Sequence, residues 1–339
     1  MIRIKNFNVP FNDQSPINDL VAKRVKLPPQ HIDEVVIVRK GIDARRYKGA
    51  PIYFVYILDV KVNIAENKVL ARLKKDKNVE IVTTKKIDKI NCQKSKTSRP
   101  IIIGFGPAGM FSALVLAKNG YRPLIFERGS DVDTRHQDIE KFWQGGQLKE
   151  NSNVQFGEGG AGTFSDGKLT TRINDSKITD VLEAFVEAGA PPEIKYLHKP
   201  HIGTDILRIV VKNIREKIKA LGGEIFFNSQ VTDFIIKDDK ICGVEINHKE
   251  KFTASDVFLG IGHSARDTYE LLYSKGISME AKPFAIGVRI EHPQDLIDKA
   301  QYGEDYKSEL LPVADYSLTY NNRQKGRSVY SFCMCQVGK

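Results

Sequence analysis

The 339-residue sequence predicts a two-part α/β protein: a small α+β unit, then a larger body organised on a parallel βαβ unit. Three observations carry this. Residues 99–129, RPIIIGFGPAGMFSALVLAKNGYRPLIFERG, read as an apolar strand, a glycine turn, a helix and a second apolar strand. Residues 1–90 follow a β-α-β-β-α-β order of their own. The charge also breaks between the two parts. Residues 1–99 carry 22 Lys and Arg against 10 Asp and Glu, whereas the other 240 carry 30 against 32.

In the N-terminal part, MIRIKNFNV alternates as a strand does, and Ser15 before Pro16 is placed to cap a helix through INDLVAKRVKL. EVVIVRKGIDARR and PIYFVYILDVKV are rich in β-branched and aromatic residues, ENKVLARLKKDK is helical, and VEIVTT closes with a strand. This order predicts a ferredoxin-like sandwich over 1–90. The polar, basic KINCQKSKTSRP then gives a linker at 91–99. A basic surface raises the question of nucleic acid. No RNP-type aromatic motif lies on the candidate strands, and the lysines are dispersed, so a structural or docking role is favoured over RNA.

The second part carries chemistry. Gly104, Gly106 and Gly109 form G-x-G-x-x-G between a strand and a helix, and Glu127 ends the next strand, which together make a dinucleotide fingerprint. Gly104 permits the tight turn. Gly106 lets the backbone approach a pyrophosphate, with Pro107 and Ala108 opening the helix whose N–H groups and partial positive charge favour phosphate. Gly109 and Ala113 allow close packing of helix on sheet. Glu127 is placed to accept from ribose hydroxyls and would repel a phosphorylated ribose, which argues against NADP. FAD and NAD share the ADP half, and the motif leaves both open.

A second glycine-rich run, GEGGAGTFSDGKLTT at 157–171, contains Gly162-Thr-Phe-Ser-Asp-Gly167-Lys168, close to a phosphate-binding P-loop. The final Ser or Thr is replaced by Leu169, the preceding KENSNVQF is mostly polar, and no strong helix follows. A triphosphate site is therefore not expected there. Downstream, the apolar positions from Ile206 to Leu221 recur at helical spacing before Gly222-Gly223. GEIFFNSQVTDFII and ICGVEI flank an Asp238-Asp239 turn, and SDVFLGIGHSA is a strand opening onto Gly260 and Gly262.

Gly-Phe-Gly-Pro-Ala-Gly followed by Glu127-Arg128-Gly129 resembles the start of flavoproteins with the glutathione-reductase-type fold. NVQFGEGGAGTFSDGKLTTR, KPFAIGVRIEHPQ, GHSARDTYELL and RKGIDARRYKGAPIYFVY resemble, more narrowly, a family of bacterial FAD-dependent dehydrogenases with a ferredoxin-like lead domain. The resemblance implies a FAD-binding Rossmann-like domain over 100–280, an inserted substrate domain beginning at 281–339, and hydride transfer through bound flavin.

It also implies that Gly159, Gly160, Ala161, Gly162 and Thr163 form a crossover loop over the cofactor, with Arg128 and Arg135 beside the nucleotide and Arg135 a candidate pyrophosphate partner. Val231 would contact adenine through its backbone, and Gly260 and Gly262 would lie beside the dinucleotide. Lys168 and His263 are the catalytic candidates. The alternatives are a surface lysine and a histidine with a structural hydrogen bond. The family continues past Ser-Phe-Cys-Met-Cys to a Gly-Asp turn absent here, so a C-terminally truncated chain is expected.

No apolar run is long enough to span a bilayer, and the start lacks a signal peptide. Four scattered cysteines suit a reducing cytoplasm, and Cys333-x-Cys335 is too tight for the usual redox or zinc spacing, so no metal is expected. No C-x-x-C accompanies the glycine motifs, which excludes a dithiol–disulfide reductase. With no second G-x-G-x-x-G, a separate NAD(P)H domain is not evident. The partners expected are a small-molecule substrate and a pyridine nucleotide reductant. The rival readings are an NAD-dependent dehydrogenase and an RNA-directed flavoprotein.

Overall fold

The computed structural model describes residues 1–45, 50–73, 76–83, 99–164, 167, 169, 171, 173, 175–331 and 334. The chain divides into two compact units. One comprises Met1–Asp88, Lys195–Pro200 and Ile286–Lys339, the other Lys89–Ile194 and His201–Ala285. Of the expected linker at 91–99, residues 91–98 lie outside the described residues.

The first unit opens with β1 (Ile2–Pro10), α1 (Ile17–Val25), β2 (Ile32–Asp43), β3 (Tyr53–Val62), α2 (Glu66–Arg72) and β4 (Val79–Ile81). The sheet runs β2-β3-β1-β4 with every neighbour antiparallel. Strand β1 explains why its sequence alternates imperfectly. Ile2 and Ile4 are buried, the register slips between Ile4 and Phe7, and Phe7 and Val9 then face the same core. Asn6, with φ 51°, takes up the extra residue as a bulge. The core is completed by Val21 and Val25 of α1, Leu58 and Val60 of β3 and Val69 of α2.

The expected Ser15 cap is not formed. Pro16 is the N-cap without a side-chain bond, and the Ser15 N–H donates to Asp13 Oδ1 at 2.9 Å in a tight turn ahead of it.

The second unit contains β5 (Ile101–Ile103), α3 (Pro107–Lys118), β6 (Leu124–Phe126), α4 (Val132–Trp143), α5 (Lys177–Glu187), α6 (Thr204–Ala220), β7 (Glu224–Phe226), β8 (Val231–Lys237), β9 (Lys240–Ile246), β10 (Glu250–Thr253), β11 (Val257–Leu259) and α7 (Arg266–Ser274). Four of these strands form a parallel sheet in the order β11-β5-β6-β7. The unbroken apolar runs of β5 and β6 follow from burial on both faces. Ile102 and Ile125 point to one side, where α3, α5 and α6 pack through Ala113, Phe185, Val210 and Ile214. Ile101, Ile103, Leu124 and Phe126 point to the other, against the antiparallel sheet β10-β9-β8 through Val231, Phe234 and Val244.

Helix α6 buries Leu207, Val210, Val211, Ile214 and Ile218 of the stripe its spacing predicts, while Ile206 and Leu221 at the two ends are exposed. Asp238 and Asp239 both take positive φ, the geometry of a two-residue hairpin turn between β8 and β9.

Residues from Ile286 onward, expected to begin a separate domain, group instead with the N-terminal strands. They form α8 (Gln294–Tyr302) and the hairpin β12 (Thr319–Asn322) with β13 (Arg327–Tyr330). Tyr302 and Ala314 are buried against Ile52, with Phe11, Ile42 and Ile297 around them. This packing joins residues hundreds of positions apart, which local sequence patterns do not signal. Among the described residues, no helix is long and apolar enough to cross a membrane.

Candidate functional site

Both glycine-rich segments arrive at one cleft of about 500 Å³ in the second unit. The strand–turn–helix is tight for identifiable reasons. Gly104 sits at φ +90°, and a Cβ there would lie 2.5 Å from the Gly260 carbonyl oxygen. A Cβ on Gly109 would collide with the Gly104 carbonyl oxygen, so only glycine lets α3 start this close to β5. Gly106 and Gly160 face one another across the floor, where a Cβ on Gly160 would lie 3.0 Å from the Gly106 Cα.

Glu127 joins three walls. It is 4% exposed, and its Oε1 accepts from the N–H groups of Gly129 at 2.9 Å and Gly157 at 3.1 Å. Its Oε2 accepts from Phe105 N–H at 2.7 Å. One carboxylate therefore ties the glycine turn, the end of β6 and the crossover loop together. Of its roughly four lone-pair positions, three are in use, which leaves one for a ligand.

Arg128 follows on the rim. Its Nη2 donates to Thr268 Oγ1 at 2.9 Å and to Asp267 Oδ1 at 3.0 Å, and the guanidinium lies 4.6 Å over the Phe156 ring. Those bonds fix it to the start of α7.

Most of the sequence-predicted cofactor residues line the cleft together: Gly104, Gly106, Pro107, Ala108, Glu127, Arg128, Gly160, Ala161, Gly162, Val231, Gly260 and Gly262. Gly109, Gly159 and Thr163 stand behind its wall. Arg135 is not brought to the cleft, which corrects its expected place beside a pyrophosphate. It is fully buried under the crossover loop, with its guanidinium bonded to backbone carbonyls of that loop. His263 lines the cleft as an exposed residue, 3.4 Å from its neighbour Ser264 Oγ. Lys168 lies outside the described residues, as do Cys333 and Cys335. Sequence reasoning missed Phe156, Ser229, Thr268 and Tyr269, all on the cleft wall. The phenol of Tyr269 donates to the Gly262 carbonyl at 3.1 Å, bracing the turn after β11.

Beneath the loop lies a second charged centre. Glu158 is fully buried, and its Oε2 accepts from Val132 N–H at 2.7 Å and from Arg215 Nη1 at 2.7 Å. Burial pushes its pKa up to about 7, against the opposing pull of those two donors, while Asp131 and Asp133 raise it further. Arg135 is lowered to about 10 by burial, opposed by Glu127 and Glu158, and so remains a cation at neutral pH.

Residues 283–339 match the model of a family described as FAD-dependent protein, C-terminal domain-like, and residues 1–61 match a domain of unknown function. An uncharacterized protein of Clostridium beijerinckii is 47% identical over 339 residues, covering 99% of this chain and 63% of that protein. The chain thus spans less than two thirds of that relative. The thiamine thiazole synthase of Thermotoga maritima is 26% identical over 62% of this chain and 72% of its own length. The crystal structure of Thermovibrio ammonificans THI4 aligns at 19% identity and TM-score 0.36, covering 53% of this chain and 64% of that one. The chain is related to FAD-dependent proteins, and FAD is its cofactor. The cleft fits that group. It has glycines where a Cβ would fill the floor, a helix N-terminus opening on it, and a carboxylate with one free acceptor position.

Proposed function

We propose that the protein is a FAD-dependent oxidoreductase acting on a small molecule, with a Rossmann-like FAD domain and a ferredoxin-like N-terminal unit. The observation that carries this reading is the convergence of the glycine turn, Glu127 and the crossover loop on one cleft. When bound, FAD supplies two-electron hydride chemistry, with a pyridine nucleotide as the proposed reductant. The chain's own residues bind and orient. Gly104, Gly106 and the first turn of α3 hold the diphosphate, helped by the N–H groups and partial positive charge of that helix end. Glu127 uses its one remaining acceptor position for a ribose hydroxyl, and its charge disfavours a 2′-phosphate. The Val231 backbone would hold the adenine, and Ala161 and Gly162 would hold the cofactor from the loop side.

His263, at the mouth of the cleft, is the residue proposed to meet the substrate end. The test is titration of the purified, cofactor-free protein with FAD and with NAD. Saturable quenching of flavin fluorescence at one FAD per chain supports the reading. Tight NAD binding without flavin binding would replace it with a nicotinamide-dependent dehydrogenase.

A further inference from the structure

The loop that closes the cleft offers its polar groups in two directions. Arg135 Nε donates to the Asn153 carbonyl at 2.8 Å, and its Nη1 donates to the carbonyls of Glu158 at 2.6 Å and Gly160 at 2.9 Å. Its guanidinium also lies 4.8 Å over the Phe164 ring, whose other neighbour is the stacked ring of His136. The N–H groups of the same stretch are consumed in turn. Gly157 donates to Glu127, Glu158 to the Ser130 carbonyl, Gly159 to the Phe105 carbonyl and Gly160 to the Gly157 carbonyl. The N–H groups of Ala161 and Gly162, which line the cleft, have no backbone acceptor among the described residues. The Asn153, Glu158 and Gly160 carbonyls are drawn inward and the Ala161 and Gly162 donors remain at the wall, a pattern that suits an anion.

We propose that Arg135 is a positioning residue for the cofactor's diphosphate: without touching it, Arg135 holds the Glu158 and Gly160 carbonyls away from the cleft and leaves the Ala161 and Gly162 N–H groups as donors at its wall. The inference rests on the dinucleotide reading of the cleft and adds a division of labour to it. A guanidinium is suited to this task because its planar fork reaches several carbonyls at fixed angles, whereas an ammonium is a single point of charge on a flexible stem. A carbonyl released toward the cleft would repel phosphate, so the penalty falls on the phosphate-bearing part of the ligand and spares the adenosine.

The test uses adenosine and ADP as probes of the cofactor-free protein. Wild type should bind ADP more tightly than adenosine. Arg135→Lys, which keeps the charge and loses the fork, should bind ADP about tenfold more weakly, the loss of roughly one hydrogen bond to a charged group, and leave adenosine unchanged. Retained ADP affinity in Arg135→Lys would overturn the proposal, because charge alone would then suffice. Equal weakening of both probes would overturn it too, as the mark of a merely structural role. A wild type that binds both probes equally overturns it as well.

Where the variant fails to fold, the Arg135 Nε–H resonance of the wild type decides. It should exchange slowly with solvent and keep its position when ADP is added. A large ADP-specific shift would show direct contact with the diphosphate and refute positioning. Protein that binds ADP with this pattern but binds no flavin would sink the FAD reading and leave this inference standing.

Discussion

Replacing Glu127 by Gln tests how far one carboxylate holds the site together. The substitution preserves shape and removes charge. Both oxygens of Glu127 accept backbone N–H groups, two at Oε1 and one at Oε2, so a glutamine has no orientation that satisfies all three. Its better rotamer keeps the oxygen toward Gly129 and Gly157 and turns its amide toward the Phe105 N–H, donor against donor. One charge-assisted bond is lost, worth about 1.5–3 kcal/mol, and a buried donor is left unpaired at about 1–3 kcal/mol. The sum is roughly 2.5–6 kcal/mol, a large share of the stability of an ordinary domain. Urea denaturation followed by circular dichroism gives the stability change, and FAD titration gives the affinity. A Glu127→Gln protein within about 1 kcal/mol of wild type, with unchanged FAD affinity, would refute the three-way tie.

Further outcomes are expected. Gly109→Ala drives a Cβ into the Gly104 carbonyl, backbone against backbone, and should cost at least about 3 kcal/mol or prevent folding, read from the thermal midpoint. Gly104→Ala, strained at φ +90° and set 2.5 Å from the Gly260 oxygen, should abolish nucleotide binding in any protein that still folds, measured by ADP titration. Glu158 gives a pH dependence. Its folded pKa of about 7 lies above the unfolded carboxylate value, so its stabilising contribution is complete below the ordinary carboxylate range and is lost as pH rises through about 7. The full change is about 3 kcal/mol, and Glu158→Gln should flatten that slope in urea titrations across neutral pH. An unchanged slope would show that Glu158 is not the group responsible.

The parts of the molecule legible in the sequence are those whose cause is local. Ile101 to Gly109 announce strand, turn and helix in nine residues, because burial on both faces demands an apolar run and the turn demands glycine. The stripe on α6 and the Asp238-Asp239 turn are equally short-range. What escaped reading depends on partners without a side-chain signature. The resemblance makes Arg135 a candidate pyrophosphate partner, yet its acceptors are backbone carbonyls 18 to 25 residues along the chain. The three N–H donors on Glu127 are hidden for the same reason. The slip at Asn6 and the packing of Tyr302 and Ala314 on Ile52 likewise arise from tertiary context. Phe156, Thr268 and Tyr269 carry no motif of their own, and only the fold brings them to one cleft wall.

We propose that one cleft, built by the glycine turn, Glu127 and the crossover loop, holds the ADP half of FAD. Calorimetric titration of FAD into the cofactor-free protein, repeated with ADP already present, tests it most directly. One FAD per chain is expected, with an apparent affinity that falls in proportion to added ADP. FAD binding that ADP leaves untouched, or an absence of FAD binding by folded protein, would contradict it.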